Sequence, residues 1–230
     1  MLKQKKYEYI LLDLDDTLLD FKRAEVFAFS QLLAYLKLDD QSILNKYHAI
    51  NNHLWHQFEL GQIKKEVLAT LRFKLAFENI SSNRDYEMMN QIFLSYIALA
   101  SYAIDGCYEL LKYLKPRYKV YIISNGIKQL QLQRLNLSRI MEYIDGFVFS
   151  EETLKPKPDL SYFEHLFNKY DLPRDPQKYL IIGDSESSDI MAATNLKIDS
   201  IYFNPKQLSP NIKPTYQVQS LLDIIDILKE

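Results

Sequence analysis

Short apolar runs closed by polar or turn-forming residues recur along the chain at Ile10–Leu12, Val120–Ile123, Phe147–Phe149, Tyr179–Ile182 and Ile198–Phe203. Runs of this length and apolarity are the pattern of strands buried on both faces. From the second onward they alternate with helical stripes. Cys107, Leu110, Leu111 and Leu114 follow i, i+3, i+4, i+7 spacing, as do Phe163, Leu166, Phe167 and Tyr170. Strands separated by helices imply right-handed crossovers and a parallel sheet, so the expected fold class is α/β, with a Rossmann-like three-layer core.

Residues 21–102 break this rhythm. They contain no convincing strand but several helical stripes: Phe29, Leu32, Leu33 and Leu36; Ile43, Tyr47, Ile50, Leu54 and Phe58; Met89, Ile92, Phe93 and Tyr96. The expected organisation is an α/β domain made of residues 1–20 and 103–230, with an all-helical domain, 21–102, inserted after the first strand. Glycine is scarce, and two of the five mark strand ends: Gly126 follows the second run and Gly183 closes the fourth. Both fit places where the backbone turns tightly or another group comes close.

At 230 residues and 47% apolar composition the chain supports one or two domains, burying roughly 70–75% of the surface of the unfolded chain. Its 28 basic and 30 acidic residues leave a formal charge of −2. That gives no basic field for a nucleic acid polymer and leaves a small polar or anionic substrate open. Cys107 is the single cysteine, which excludes an intramolecular disulfide and a cysteine metal cluster and reads as an inert buried thiol. The opening "MLKQKKYEYILLDLDDT" is basic, but its apolar run ends in acid after about six residues, too short for a signal peptide or for the roughly 20 that span a bilayer. The expected location is the cytoplasm, with no membrane partner.

Ligands of a parallel α/β sheet bind beyond the carboxyl ends of its strands. The residues expected there are Asp13, Asp15 and Thr17 after the first strand, Ser124, Asn125 and Gly126 after the second, and Gly183, Asp184 and Asp189 after the fourth. The segment "SEETLKPKPD" can bring Lys157 to the same rim. Several carboxylates in one crevice repel one another, and a hard cation removes the conflict. Oxygen ligands in small number, with room for water and a phosphate, suit Mg²⁺. A lysine and a hydroxyl nearby would then serve the phosphoryl oxygens.

In this order, "DLDDT", "ISN" after an apolar strand, the lysine of "KPD" and "GDSESSD" resemble the four motifs of haloacid-dehalogenase-like hydrolases. The resemblance spans essentially the whole chain, because the helical insert lies where that family places a helical cap of the C1 type. It implies that Asp13 is the nucleophile forming an aspartyl-phosphate, and that Asp15 is the acid for the leaving oxygen and then the base for water. Such a division splits one difficult displacement into two. It implies Mg²⁺ held by the Asp13 side chain, the Asp15 main-chain carbonyl and Asp184, with Thr17 and Asp189 one layer further out. Ser124, Lys157 and the Asn125 main-chain amide would hold phosphoryl oxygens. "LKPKPD" offers both Lys155 and Lys157, and the family pattern, with proline and aspartate directly after the lysine, selects Lys157. Asp15 points to phosphate esters, since the dehalogenase branch lacks this second aspartate.

"NNHLWHQFELGQIKKEVLATLRF", Asn51 to Phe73, is similar to the cap of a bacterial pyrimidine 5′-nucleotidase group within the family. The implied substrate is a nucleoside 5′-monophosphate, with pyrimidines favoured. Trp55 and Phe58 are candidates for stacking on a base, against the plainer reading of Phe58 as helical core. His53, His56 and Glu59 share a helix but lack a fourth ligand for zinc, and His48 and His165 carry no expected chemistry. A sugar-phosphate phosphatase or phosphomutase is the nearest rival, a non-catalytic phosphate or nucleotide sensor a remoter one. The oligomeric state is left open between monomer and homodimer.

Overall fold

The computed structural model of the chain describes residues 7–80 and 84–229. The basic stretch at residues 1–6 lies outside them. The chain divides into two compact units, one of residues 1–20 and 102–230, the other of residues 21–101.

The first unit is built on six strands: β1 (Tyr9–Leu12), β2 (Lys119–Ser124), β3 (Gly146–Phe149), β4 (Tyr179–Gly183), β5 (Asp199–Phe203) and β6 (Tyr216–Val218). They form one sheet in the order β3-β2-β1-β4-β5-β6, and every neighbouring pair is parallel. Period-two alternation sends Ile10 and Leu12 of β1 to one face and Leu11 to the other. The first face packs on Cys107, Leu110, Leu111 and Leu114 of α5 (Cys107–Leu114), Leu135 of α6 (Lys128–Leu137), and Leu221 and Ile224 of α9 (Leu221–Lys229). The second packs on Tyr162, Phe163, Leu166 and Phe167 of α7 (Leu160–Lys169) and on Ala192 and Ala193 of α8 (Met191–Leu196). Five strands coincide with the apolar runs. β6 was not foreseen, because its three residues lie at a sheet edge and only Val218 is buried.

β1 pairs with β2 on one side and β4 on the other, with Leu12 opposite both Ile122 and Ile182. Strand order reverses at this point, which is where an open α/β sheet forms its crevice. The insertion leaves and rejoins the unit at one place, where the Asp20 amide donates to the Tyr102 carbonyl at 2.8 Å.

The second unit contains α1 (Phe21–Tyr35), α2 (Ser42–Glu59), α3 (Lys65–Ala76) and α4 (Tyr86–Leu99). Phe29, Tyr47, Phe73 and Phe93 interlock at ring separations of 4.5–5.6 Å. Beside them runs a buried polar chain drawing on all four helices. Glu25 accepts from Asn51 at 2.7 Å, Arg72 donates to Asn51 at 3.2 Å and to Asn90 at 2.6 Å, and His48 meets Glu25 at 2.6 Å.

Candidate active site

Asp13 follows β1 directly, and its amide donates to the Ile182 carbonyl at 2.9 Å, which continues the pairing with β4 and fixes the side chain at the reversal point. One Asp13 carboxylate oxygen accepts from Lys157 Nζ at 2.8 Å. The same ammonium donates to Asp189 Oδ1 at 2.7 Å and to the Ile123 carbonyl at 3.0 Å. An ammonium has three protons, and here each has an acceptor. Lys157 is only 1% exposed, whereas the Lys155 side chain is 68% exposed and pairs with Asp159. Lys157 is therefore the lysine that the structure places beside Asp13.

Two buried carboxylates share one ammonium. Burial pushes the Asp13 carboxyl up to about 7, with Asp189 and Asp15 adding to the rise and Lys157 opposing it. Burial alone would pull the Lys157 ammonium down, but Asp13 and Asp189 outweigh it and hold the group above its usual range.

Gly183 ends β4 and Asp184 follows it. The Thr17 hydroxyl, fully buried, donates to Asp184 Oδ1 at 3.4 Å. Asp13, Asp184 and Asp189 each offer a carboxylate oxygen within 4.8 Å of the others, a group able to hold a metal ion. Asp189 is already engaged by Lys157 and by the Ser185 amide at 3.1 Å. Its position requires the glycine: a Cβ on residue 183 would lie 2.2 Å from Asp189 Oδ2. With Asp189 taken up by Lys157, the carboxylate oxygens of Asp13 and Asp184 are the hard donors that fit a magnesium ion, whose charge would relieve the excess of negative charge there.

Ser124 closes β2. The Asn125 side chain turns to the lysine loop, accepting from the Lys157 amide at 2.9 Å and donating to the Lys157 carbonyl at 3.0 Å. This two-point brace sets where Lys157 starts its path inward. Asp15 makes an ion pair with Arg134 through Oδ1, and Gln131 donates to its Oδ2 at 2.5 Å. Sequence reasoning missed both partners, because α6 carries no apolar stripe. A signal was present: two polar residues one turn apart on a helix that starts one residue after "SNG".

In the helical unit Phe58 is 9% exposed and packs with Leu54 and Leu68. Trp55 lies edge-on to it at 5.6 Å. His48 is held by Glu25, and among the described residues the group able to hold a metal is that of Asp13, Asp184 and Asp189. No helix among the described residues is long and apolar enough to cross a membrane.

A parallel sheet with this crevice and these acids defines a class, and comparison with known families agrees. Residues 10–203 match the model of the haloacid dehalogenase-like hydrolases, and the chain belongs to that family. Among curated relatives it is similar to the pyrimidine 5′-nucleotidase PynA of Streptococcus pneumoniae, at 34% identity over 96% of this chain and 95% of the relative. The pyrimidine 5′-nucleotidase YjjG of Escherichia coli is 28% identical over 97% and 98%. Among solved structures, the magnesium-bound HAD-hydrolase YfnB of Bacillus subtilis superimposes with a TM-score of 0.91 at 29% identity, covering 98% of this chain and all of that one. A dehalogenase superimposes with a TM-score of 0.76 at 17% identity over 97% of this chain and 98% of that one, a likeness of fold.

Proposed function

We infer that the protein is a Mg²⁺-dependent phosphomonoesterase acting through an aspartyl-phosphate, and that its substrates are nucleoside 5′-monophosphates with a pyrimidine base. One observation supports this above the others: at the point where strand order reverses, a buried Asp13 shares an ammonium with Asp189, while Asp184 offers a third carboxylate within 4.8 Å. The relatives named for pyrimidine 5′-nucleotidase activity support the substrate class.

In the first step an Asp13 carboxylate oxygen attacks phosphorus, the ester P–O bond breaks, and Asp15 gives a proton to the leaving oxygen. In the second, Asp15 takes a proton from water, which attacks phosphorus and releases Asp13 and inorganic phosphate. The two steps balance, with Asp15 returned to its starting form. Lys157 has its three protons already engaged, so it meets a phosphoryl oxygen by exchanging one acceptor for another. Asp13, Asp184 and the Asp15 carbonyl are the groups that would hold Mg²⁺, which supplies charge neutralisation on the phosphoryl oxygens. The helical unit is the cap that sets specificity in this reading.

The test is phosphate release from a panel of uridine, thymidine and purine 5′-monophosphates, sugar phosphates and p-nitrophenyl phosphate, with Mg²⁺ and with EDTA. Turnover is expected with Mg²⁺ alone, highest on pyrimidine nucleotides. A preference for sugar phosphates would move the substrate class, and no release from any ester would remove the catalytic reading.

A further inference from the structure

The Asp15 carboxylate belongs to a four-residue network whose orientation is fixed by the chemistry of its members. Arg134 carries only donors. Its side chain is fully buried, and Nη1 donates to Asp15 Oδ1 and, at 2.9 Å, to Gln131 Oε1. That contact settles which end of the Gln131 amide is oxygen, because the reverse orientation would set donor against donor. The Nε2 group then points the other way and divides its two hydrogens between Asp15 Oδ2 at 2.5 Å and Ser124 Oγ at 3.0 Å. Ser124 Oγ also accepts from the Gly126 amide at 3.0 Å. A hydroxyl has two acceptor sites and one hydrogen. With both acceptor sites filled from Gln131 and Gly126, the Ser124 hydrogen is directed away from the protein donors, where a phosphoryl oxygen can receive it.

We propose that Gln131 and Arg134 of α6 are positioning residues that lock the acid–base group Asp15 to the phosphoryl donor Ser124, so that one helix sets both. This rests on the reading of Asp15 and Ser124 given above and extends it to two residues that the four motifs do not contain. The helix is itself tied down: the Lys128 amide donates to Glu151 at 3.1 Å and the Lys128 ammonium pairs with Glu152 at 2.9 Å, which anchors the start of α6 to the segment after β3. Gln131 is 1% exposed, and its amide fills the space that a side chain at residue 126 would need, a Cβ there falling 2.2 Å from Nε2, so the glycine is what lets it sit between Asp15 and Ser124.

The experiment compares Gln131→Leu, Arg134→Met and Arg134→Lys with the wild-type protein on a nucleoside 5′-monophosphate, whose leaving oxygen needs a proton, and on p-nitrophenyl phosphate, whose leaving group does not. General acid–base assistance is worth roughly 100–10,000-fold, so a mispositioned Asp15 should lower kcat on the nucleotide by about 30–100-fold. Asp15 is also the base of the second step, which both esters share, so kcat/KM, which reports only the steps up to release of the alcohol, is compared. On the nucleotide it falls in step with kcat. On p-nitrophenyl phosphate it should fall less than about fivefold with Arg134→Met and up to about tenfold with Gln131→Leu, which also takes a donor from Ser124, and Arg134→Lys should recover part of the loss. Binding of beryllium fluoride with Mg²⁺, read by thermal shift, should persist in all three variants. Equal losses of kcat/KM on the two esters with Arg134→Met, or no loss, would overturn the proposal. So would failure of both Gln131→Leu and Arg134→Met to keep the wild-type circular dichroism, since the pair would then belong to core packing. A wild-type protein that hydrolyses neither ester removes the phosphatase reading, and this inference with it, before any variant is made.

Discussion

Asp13→Asn should abolish phosphate release and at the same time stabilise the metal-free protein. Two buried carboxylates on one ammonium leave a net negative charge in a site of low polarity, and burial pushes Asp13 up to about 7 from its ordinary value of 3.8. The unfolded chain sheds that proton near 3.8, so between about 4 and 7 the folded state holds a proton that the unfolded state has lost. Stability from this group is therefore greatest at the acid end, falls as pH rises through the window and is flat above it. Three powers of ten in proton affinity correspond to at most about 4 kcal/mol. The amide mimics the protonated acid and its oxygen still accepts from the Lys157 ammonium, and about 2 kcal/mol of that should survive in the variant.

Urea unfolding followed by far-UV circular dichroism in EDTA, at intervals from pH 4.5 to 8, reads the difference between the two proteins. Carboxylates far from Asp13 are common to both proteins and cancel. The advantage of the variant should grow from near zero at the acid end to a plateau above 7, where its midpoint lies about 1 M higher for a slope of about 2 kcal/mol/M. If Asp13 holds Mg²⁺ as proposed, saturating Mg²⁺ should reverse the order, because a carboxylate binds it and an amide does so poorly. A variant less stable than wild type in EDTA, or a difference that does not change with pH, would refute the account of charge in this site.

Lys157→Met should destabilise the metal-free α/β unit by about 3–5 kcal/mol and lower turnover at least about 100-fold, since it strands two buried carboxylates; Lys155→Met, at an exposed pair, should change stability by under about 0.5 kcal/mol in the same urea assay. Gly183→Ala should reduce Mg²⁺-dependent phosphate release by about tenfold or more by forcing Asp189 away from its 2.2 Å clash, and a crystal structure of the variant would show the displaced carboxylate. In the helical unit the hydrogen bond to Glu25 raises the His48 imidazole despite partial burial, so its contribution is complete below about 6.5 and is lost as pH rises through the higher folded value. With His48 partly exposed the effect should stay under about 1 kcal/mol, and His48→Gln should remove it from the pH dependence of urea unfolding.

The parts of the molecule legible in the sequence are those where burial acts on apolar residues. Strands β1 to β5 are covered on both faces, so nearly every position along them is apolar and the runs stand out; β6 is covered at Val218 alone and has no comparable run. The same reasoning separates the two halves of the candidate site. Asp13, Asp184 and Lys157 lie at strand ends or in a short loop, where chain order fixes their place and spacing can be read. Arg134 and Gln131 lie on a helix that buries them beside Leu135, so its inward side is polar for the most part, with Arg134 fully buried. A search for apolar periodicity passes over such a helix because it assumes that what is buried is apolar. Arg72 in the helical unit shows the same blind spot. It is 3% exposed, with its guanidinium carbon 5.0 Å from the ring centres of Phe73 and Phe93, and its partners Asn51 and Asn90 come from two other helices. A buried polar side chain is set by partners far away in sequence, and the physical reason that such groups are few is that each needs those partners in place. When a helix next to an acidic crevice carries arginine and glutamine one turn apart and no stripe of its own, the crevice itself is therefore the first place to look for what covers its inner face.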